Sequence, residues 1–400
     1  MSEWREVKLI DFMQFNPSEI LHKGTVAKKI AMENIEPFNK KVQGYVEAPF
    51  NGGTKFKNGD TLVARITPCL ENGKTAYVDF LLENEVAFGS TEYIVLREKK
   101  GISNSKFIFY LAISGDFRDT AIQLMTGTSG RQRVETDALK ERIFILPPLP
   151  EQKAIAEVLS CLDDKIDFLN RQNKTLESLA ESYFKQWFIE EVQEDWEVAS
   201  IDMVANIQNG YSFSSKDYID YTNNTLEVFK MGHISPDGGL RAQPKTDFVL
   251  KTEKLSRWVL KKEDIVMAMT DMKDNVVILA VPALIDISDK YVLNQRVARI
   301  TLKNDLLIDV LLLYYQMKSK DFITELQSKA NSGVQVNLTT ESIKNSSIYI
   351  PHKNTQKYMV DIIRPIYDKV HANASQIKTI NKLRDTLLPK LINGDVKVKA

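Results

Sequence analysis

Apolar residues recur at alternating steps of four and three between Glu151 and Trp187. A heptad pattern of this length predicts a helix of about 37 residues, ~55 Å long at ~1.5 Å per residue, that pairs with another helix. The preceding stretch Leu146–Pro150 contains three prolines and is predicted to be non-helical. With one polar interruption at Asn173, the heptad positions are Ile155, Leu159, Leu162, Ile166, Leu169, Leu176, Ala180, Tyr183 and Trp187.

The same pattern returns when 204 is added to each position. The chain is therefore predicted to be a tandem repeat of about 200 residues, each copy ending in a long helix. Pro365 lies inside the second run, so that helix is expected to kink or to start late there. The second set is Met359, Ile363, Ile366, Val370, Asn373, Ile377, Ile380, Arg384, Leu387 and Leu391.

The two helical segments carry opposite charge. Residues 151–199 contain 5 basic and 12 acidic side chains, whereas residues 351–400 contain 10 and 4. This difference favours pairing of one helix with the other over self-pairing of either. The alternative is that each helix only packs on its own globular part. The pattern alone does not choose between parallel and antiparallel pairing.

Composition limits the class of protein. The 400 residues have zero net charge, so a nucleic-acid binder of this kind needs local basic patches or a partner that supplies them. Cys69 and Cys161 stand far apart, in no spacing that suits a metal site or a disulfide framework. The polar start, the reduced cysteines and the short longest apolar run, Val276–Ile285, predict a cytoplasmic protein without a membrane span.

The globular parts repeat a framework of strands, a helix and polar loops. The sequence predicts strands near residues 61–67, 74–79 and 89–97, a helix over Phe107–Thr120 and a flexible loop over Thr126–Val134. The counterpart of that loop is Asn331–Asn337. This alignment matches Gly130 with Gly333 and Gln132 with Gln335, and it replaces Arg65, Arg131 and Arg133 by Met269, Val334 and Val336.

A constant framework with different loop chemistry indicates two readers of different targets, although drift after duplication gives the same pattern. Amide side chains suit adenine edges, guanidinium groups suit guanine, and lysine and hydroxyl groups hold phosphates. The candidate DNA-contacting residues of the first part are Arg65, Thr67, Lys74, Thr91, Arg131, Gln132 and Arg133. Those of the second part are Tyr211, Lys230, His233, Lys273, Asn294, Gln295, Arg296, Gln335 and Asn337.

No catalytic motif is recognisable. Asn72–Thr75 resembles the end of a phosphate-binding loop, but Pro68 occupies the position that requires glycine. The four histidines are scattered, and Pro236-Asp237 lacks the nearby acidic and lysine residues of a nuclease site. We therefore expect no catalytic residue and no metal site in this chain.

The combination of features resembles the specificity subunit of type I restriction-modification enzymes. The residues that carry the resemblance are the turn Leu146–Pro150 with Gln152, the heptad helix after it, and Gly127–Gln132. In the second copy they are Ile350-Pro351 with Gln356 and the helix end Leu387–Gly394. The second copy departs from the pattern at His352–Thr355, where the first has Pro148–Glu151.

The resemblance implies an α+β fold with two mixed target recognition domains, residues 1–150 and 195–350. Two long helices, residues 151–194 and 351–400 with the C-terminal tail, would form an antiparallel coiled coil. Each domain would read one half of a bipartite, asymmetric double-stranded DNA target, and the coiled coil would set the spacer. Two methyltransferase subunits carrying S-adenosylmethionine would dock on the helices, and restriction subunits using ATP and Mg²⁺ would join them.

Two other interpretations remain open from the residues alone. A two-lobed coiled-coil scaffold without a DNA role predicts large exposed apolar patches on the globular parts. An enzyme with an unfamiliar motif predicts paired acids or histidines on matched loops. The Arg-, Lys-, Gln- and Asn-bearing loops favour DNA reading over both.

Overall fold

The computed structural model describes residues 4–128, 130–241, 244–272, 276–304, 307–332 and 335–398. The chain forms two compact units. Unit 1 comprises Met1–Phe168 and Thr379–Ala400, and unit 2 comprises Leu169–Lys378. Both boundaries fall inside the long helices, whereas the sequence-based domains end where the helices begin. The difference arises because the ends of each long helix belong to the cores of the globular parts.

Unit 1 contains two four-stranded sheets. One has the strand order β2-β9-β6-β7, and the other, β4-β3-β8-β5, includes a parallel pair between β3 and β8. Two-stranded sheets join β1 to β12 and β10 to β11. The strands are β1 Arg5–Lys8, β2 Met13–Phe15, β3 Val26–Ile30, β4 Val46–Pro49, β5 Thr54–Phe56, β6 Thr61–Ala64, β7 Thr75–Tyr77, β8 Ala87–Gly89, β9 Tyr93–Glu98, β10 Met125–Thr126, β11 Arg133–Val134 and β12 Ile143–Leu146.

The centre of unit 1 is strand β6, in which every residue is buried. Val63 packs with the helical layer, while Leu62 packs with the second sheet. A strand covered on both faces needs a continuous apolar run rather than an alternating one, and Leu62-Val63-Ala64 supplies it. The chain leaves this strand at Arg65, so the buried core fixes the backbone on which the first candidate residue stands.

The predicted helix over Phe107–Thr120 is two helices that meet at Ser114. The Ser114 hydroxyl donates to the Leu111 carbonyl and accepts from the Phe117 amide, so it ends one helix and caps the next. The sequence does not indicate this break, because the apolar pattern continues from one helix into the next. The helices of unit 1 are α1 Leu9–Phe12, α2 Ser105–Ile113, α3 Gly115–Gln123, α4 Thr136–Lys140 and the first part of α5 Leu149–Lys185.

Unit 2 contains two four-stranded sheets, β14-β22-β18-β20 and β15-β17-β16-β21, a two-stranded sheet, β13-β25, and a three-stranded sheet, β19-β24-β23. The strands are β13 Glu197–Ser200, β14 Ala205–Asn209, β15 Tyr218–Ile219, β16 Thr225–Phe229, β17 Phe248–Leu250, β18 Ile265–Ala268, β19 Thr270–Met272, β20 Pro282–Leu284, β21 Tyr291–Leu293, β22 Val297–Leu302, β23 Asn331–Ser332, β24 Gln335–Asn337 and β25 Ser347–Ile350. The helices are α6 Ile201–Val204, α7 Val310–Lys318, α8 Lys320–Ser328, α9 Thr340–Lys344 and α10 Lys353–Ile392.

Short 3-10 turns complete the framework of the described residues. They cover Met32–Asn34, Ser215–Asp217, Met231–His233 and Glu253–Trp258. A π-helical turn, Gln186–Glu190, follows α5 directly.

Prolines interrupt the long helices less than the sequence predicts. Helix α5 begins at Leu149, so Pro150 lies in the first turn, where the missing amide hydrogen has no helical partner anyway. Helix α10 begins at Lys353 and continues through Pro365, so the predicted late start is wrong. An interior proline costs about 3 kcal/mol. Burial of Ile363 and Tyr367 on either side offsets this cost, at roughly 1.5–3 kcal/mol for each large side chain.

The heptad side chains are all buried or half-buried. In unit 1, Ile155 and Leu159 pack in the same core as Leu387. In unit 2, Ile363 and Ile366 pack in the core cluster of that unit. Further along the helices, the same holds for Leu162, Ile166, Leu169 and Leu176 of α5 and for Val370, Ile377 and Ile380 of α10.

Within unit 2 the two long helices run antiparallel. Asn373 is buried and donates from Nδ2 to Oε1 of Gln172 and Oδ1 of Asn173, both at 2.8 Å. Further along, the rings of Trp187 and Tyr358 lie 6.2 Å apart. A buried amide at one heptad position is satisfied in only one register, so these contacts fix the alignment of the helices.

Opposite charge contributes to helix pairing at a buried site of unit 1, where Arg384 and Asp163 form an ion pair at 2.9 Å. Other acidic residues of α5 have partners in the globular parts instead. Lys40 pairs with Asp164 and Lys41 with Asp167 in unit 1, and Lys318 pairs with Glu181 in unit 2. The charge difference between the helices therefore reflects contacts to the globular parts as well as to each other.

A buried glutamine fastens the start of each long helix. Gln152 Nε2 donates to the carbonyls of Ile102 and Pro147, and its Oε1 accepts from the Asn104 amide. Gln356 makes the matching bonds in unit 2, to the carbonyls of Leu307 and Pro351 and from the amide of Asp309. Each glutamine thus joins its long helix to the loop that enters α2 or α7.

Candidate nucleic-acid interface

Each unit carries a short β-hairpin where the sequence predicts a flexible loop. In unit 1, β10 and β11 pair Met125 with Val134 and Thr126 with Arg133. The described residues of the connection expose Gly127, Thr128, Gly130 and Arg131, while Gln132 is half-buried. In unit 2, β23 and β24 form the equivalent hairpin. The ladders hold polar loop residues at a defined place beside the central sheet.

Backbone pairing corrects the sequence alignment of these hairpins. Ile66 bridges to Arg133 in unit 1, and Thr270 pairs with Asn337 in unit 2. Arg133 therefore matches Asn337 rather than Val336, and the offset of 204 holds on the returning strand. The loop of unit 2 is one residue shorter, because Asn337 pairs with Asn331 six positions away, whereas Arg133 pairs with Thr126 seven positions away. On the same register, Arg131 and Gln132 match Gln335 and Val336.

Three positions meet at this place in unit 1: Arg65, Glu92 and Arg133. The Arg65 amide donates to the Glu92 carbonyl, and the Val134 amide donates to the Arg65 carbonyl, both at 2.9 Å. These bonds bring the end of β6, the approach to β9 and strand β11 side by side. Beside them lies a polar cleft of about 330 Å³, lined by Arg65, Thr126, Arg133, Val134, Glu135, Thr136 and Asp137.

The Glu92 carboxylate lies against both guanidinium groups and accepts hydrogen bonds from Arg133. Arg133 donates from Nε and Nη2 at 2.7–3.0 Å, and Arg65 Nε lies 3.4 Å from Oε2. The hydrogen bonds from Arg133 hold the pKa of the Glu92 carboxyl below its ordinary value. Arg133 nevertheless stays 43% exposed. Arg133 is therefore a cation at the surface whose orientation Glu92 fixes. The two residues do not form a buried structural ion pair.

The equivalent positions of unit 2 are Met269, Arg296 and Asn337. The Met269 amide donates to the Arg296 carbonyl at 3.0 Å, and the Leu338 amide donates to the Met269 carbonyl at 2.8 Å. Met269 is buried, whereas Arg296 and Asn337 are exposed. We call these two sets the matched positions. They share a backbone framework and differ in every side chain.

Other predicted residues of unit 1 lie near the matched positions but have internal partners. The Thr67 amide donates to the Gln132 carbonyl at 3.0 Å, which ties these two residues to the hairpin. Lys74 Nζ donates to the Met32 carbonyl at 2.8 Å and is half-buried, so it is engaged within the fold. Thr91 is exposed beside Glu92 and borders a cleft of about 490 Å³ that also includes Lys29.

In unit 2, the structure brings Tyr211 next to the segment Asn294–Arg296. The Tyr211 amide donates to the Leu293 carbonyl, and the Gln295 amide donates to the Tyr211 carbonyl. Gln295 is exposed, while Asn294 Oδ1 accepts from the Arg296 amide at 3.3 Å. Lys230 is separately engaged, in an ion pair with Asp247 at 2.7 Å.

The prediction for His233 is wrong. Its side chain is 2% exposed, and Nε2 lies 2.9 Å from Oε1 of Glu227, a buried acid. Nδ1 accepts a hydrogen bond from the Lys230 amide at 3.2 Å. Both ring nitrogens are engaged inside the core, so His233 lies away from the surface. Lys273 and the Gln335 side chain lie outside the described residues.

Sequence reasoning missed several residues of this surface. The repeat itself indicates Glu92, because it stands 204 positions before Arg296. Lys254 was also missed; its Nζ donates to the Tyr211 hydroxyl at 2.9 Å. Trp258 packs on the Tyr211 ring, with centroids 5.0 Å apart, and Arg257 lies over Trp258. Cations interleaved with aromatic rings are typical of nucleic-acid surfaces.

Among the described residues, no group of three or more His, Cys, Asp or Glu side chains is arranged to bind a metal ion. Cys69 and Cys161 are both free. The polar side chains at the matched positions, Arg65, Glu92, Arg133, Arg296 and Asn337, are hydrogen-bond donors and acceptors. That chemistry suits base-edge and phosphate recognition.

Residues 1–178 and 193–382 each match the family described as type I restriction modification DNA specificity domain. The chain belongs to this family. Both copies of the repeat are matched, and together they cover most of the sequence. The family membership confirms the resemblance drawn from the proline turns, the glutamines and the heptads.

Individual relatives agree with the family. The MjaVIII specificity subunit of a type I restriction enzyme from Methanocaldococcus jannaschii is 27% identical over 78% of this chain and 74% of its own length. The HindI specificity subunit from Haemophilus influenzae is 22% identical over 99% and 100%. The crystal structure of the S subunit of a type I system from M. genitalium shares the fold, with a TM-score of 0.61 at 18% identity over 98% of this chain and 96% of that one.

Within the described parts of this family member, no helix is both long and apolar enough to cross a membrane. The long helices α5 and α10 carry charged residues throughout.

Proposed function

We propose that this chain is the DNA-reading subunit of a type I restriction-modification complex. The globular part of unit 1 reads one half of a bipartite, asymmetric target, and that of unit 2 reads the other half. The observation that carries this proposal is the repeated framework with different side chains at the matched positions. Two readers built alike but with different polar groups recognise two different base sequences.

The long helices serve as spacer and docking element in this proposal. Helices α5 and α10 contribute to both units, and their buried amides and ion pair fix one register. Half-sites read from one face of B-DNA lie about one helical turn, ~34 Å, apart. A fixed helix pair suits such a spacing better than a flexible linker does.

The catalytic work belongs to partner subunits. Two methyltransferase subunits, holding S-adenosylmethionine, would dock on the helices, and restriction subunits using ATP and Mg²⁺ would complete the complex in the cytoplasm. This chain contributes recognition and holds no cofactor. The names of its relatives, specificity subunits of type I restriction enzymes, support this division of labour. Family membership also favours DNA reading over the scaffold alternative.

Arginine substitutions test the assignment of half-sites. Arg131→Ala is expected to relax base preference in one half of the target only, and Arg296→Ala in the other half only. A lost guanidinium–base contact costs about 1–3 kcal/mol of discrimination. The measurement is binding of the assembled complex to duplex libraries randomised in each half.

The control is Arg5→Ala, which removes an exposed arginine of β1 in unit 1. It should leave both half-sites unchanged. Uniform weakening by Arg131→Ala for all sequences would make that residue a phosphate contact. Changes in both halves from one substitution would contradict the division of labour between the units.

A further inference from the structure

The two sets of matched positions hold different side chains but have the same net charge. Unit 1 has Arg65, Glu92 and Arg133 where unit 2 has Met269, Arg296 and Asn337. Each set carries a net charge of +1 at neutral pH, but unit 1 reaches it with two arginines and a glutamate, whereas unit 2 has a single arginine.

In unit 1, Glu92 determines how Arg133 is presented. The carboxylate takes the hydrogen bonds of Nε and Nη2, so the guanidinium plane is fixed. A guanidinium has five N–H donors, and one held through Nε and Nη2 keeps its Nη1–Nη2 edge for a second acceptor pair. Guanine presents such a pair in the major groove, O6 and N7.

The Arg65 guanidinium also lies next to the Glu92 carboxylate. Its side chain is 33% exposed, and its Nε lies 3.4 Å from Glu92 Oε2, too poorly aligned for a hydrogen bond. The Arg65 charge therefore offsets the acid without fixing its orientation. In unit 2, the position that matches Glu92 holds Arg296 instead of an acid. The position that matches Arg65 holds Met269, which is buried.

We propose that the matched positions determine base specificity in both units, with Glu92 as a positioning residue that presents Arg133 to a guanine in the first half-site. In unit 2, the same backbone framework presents Arg296 and Asn337, side chains that suit guanine and adenine respectively. This inference rests on the proposed function and adds which residues and which bases are involved.

The test uses the full chain assembled with its methyltransferase subunits and duplex libraries randomised in each half-site. Arg133→Ala is expected to lower the preference for one guanine of the first half-site about 10-fold or more. Glu92→Gln is expected to weaken the preference for that same guanine about 10-fold, because the amide removes the negative charge and places an NH2 donor where Oε2 accepts from Arg133 Nε. The second half-site should be unaffected by either change.

Glu141→Gln is the matched control, since it removes the same charge from an exposed ion pair with Lys8 in unit 1. It should leave all base preferences unchanged. If Glu92→Gln does not fold, Arg133→Lys replaces it, because lysine keeps the charge but lacks the planar fork. Arg133→Lys should likewise lose preference for that one guanine while retaining affinity for random duplex.

In unit 2, Asn337→Ala is expected to reduce preference for an adenine in the second half-site only, again about 10-fold. The inference is overturned if Glu92→Gln leaves every preference unchanged, or if it alters affinity for all duplexes equally. It is also overturned if Glu92→Gln and Arg133→Ala affect different bases. A wild-type complex that shows no bipartite preference would instead defeat the proposed function itself.

Discussion

Arg384→Leu is expected to lower the free energy of unfolding by about 3–5 kcal/mol, the usual cost of leaving one member of a buried ion pair without its partner. Arg384 Nη1 lies 2.9 Å from Asp163 Oδ1, and the side chains are 13% and 6% exposed. Tyr110 donates its hydroxyl to the other Asp163 oxygen at 2.6 Å. Without the guanidinium, the carboxylate stays buried beside the neutral Tyr110 hydroxyl.

Urea denaturation of the full chain, with hydrogen exchange to localise the loss in unit 1, measures this effect. Lys382→Leu is the control on the same helix, because Lys382 is exposed, and it should change stability by less than about 0.5 kcal/mol. Replacing Asp163 and Arg384 together by leucine should cost less than Arg384→Leu alone. A single variant as stable as wild type would contradict the structural role of the pair.

Gln152→Leu is expected to destabilise unit 1 by about 3 kcal/mol or more. The glutamine is 1% exposed, and the substitution leaves the Asn104 amide and the carbonyls of Ile102 and Pro147 without this partner. Each buried backbone group left unsatisfied costs about 1–3 kcal/mol. The leucine is close in size, so the loss reflects hydrogen bonding rather than a cavity.

Hydrogen exchange at the Asn104 amide and the start of α5 measures the result directly. Protection there should fall, while unit 2 keeps its own protection through Gln356. Gln123→Leu, at an exposed position of the same unit, is the matched control and should leave exchange unchanged. Unaltered protection in Gln152→Leu would show that the glutamine does not fasten the helix.

The long helices were predictable because periodicity and repetition act over many residues. Ten heptad positions recur at a constant offset, and no local exception outweighs them. Pro365 misled the prediction for a physical reason: its local penalty is smaller than the burial of Ile363 and Tyr367 around it. Tertiary packing thus overrides a single helix-breaking residue.

The interface was less predictable because exposure and partners are not encoded locally. His233 carries the chemistry of a DNA contact, yet Glu227 and the core enclose it. Lys74 is likewise engaged with the Met32 carbonyl. In contrast, Arg131 and Arg296 are exposed on the framework that the sequence repeat indicates.

The matched positions can be aligned between the two units only from the backbone register of the hairpins. A one-residue difference in loop length shifted the sequence alignment of the hairpins, and only the pairing of Ile66 with Arg133 and of Thr270 with Asn337 restored it. Glu92 accepts hydrogen bonds from Arg133. Its role depends on residues 41 positions apart in sequence, a relation that no local pattern reveals.

Genome-wide mapping of methylated adenine, in the host with the gene for this chain intact and deleted, tests the central claim most directly. We expect one bipartite motif with a fixed gap to lose methylation throughout the genome on deletion, and to regain it when the gene is restored. An unchanged methylation pattern in a host that expresses the methyltransferase subunits would contradict the claim that this chain reads the target.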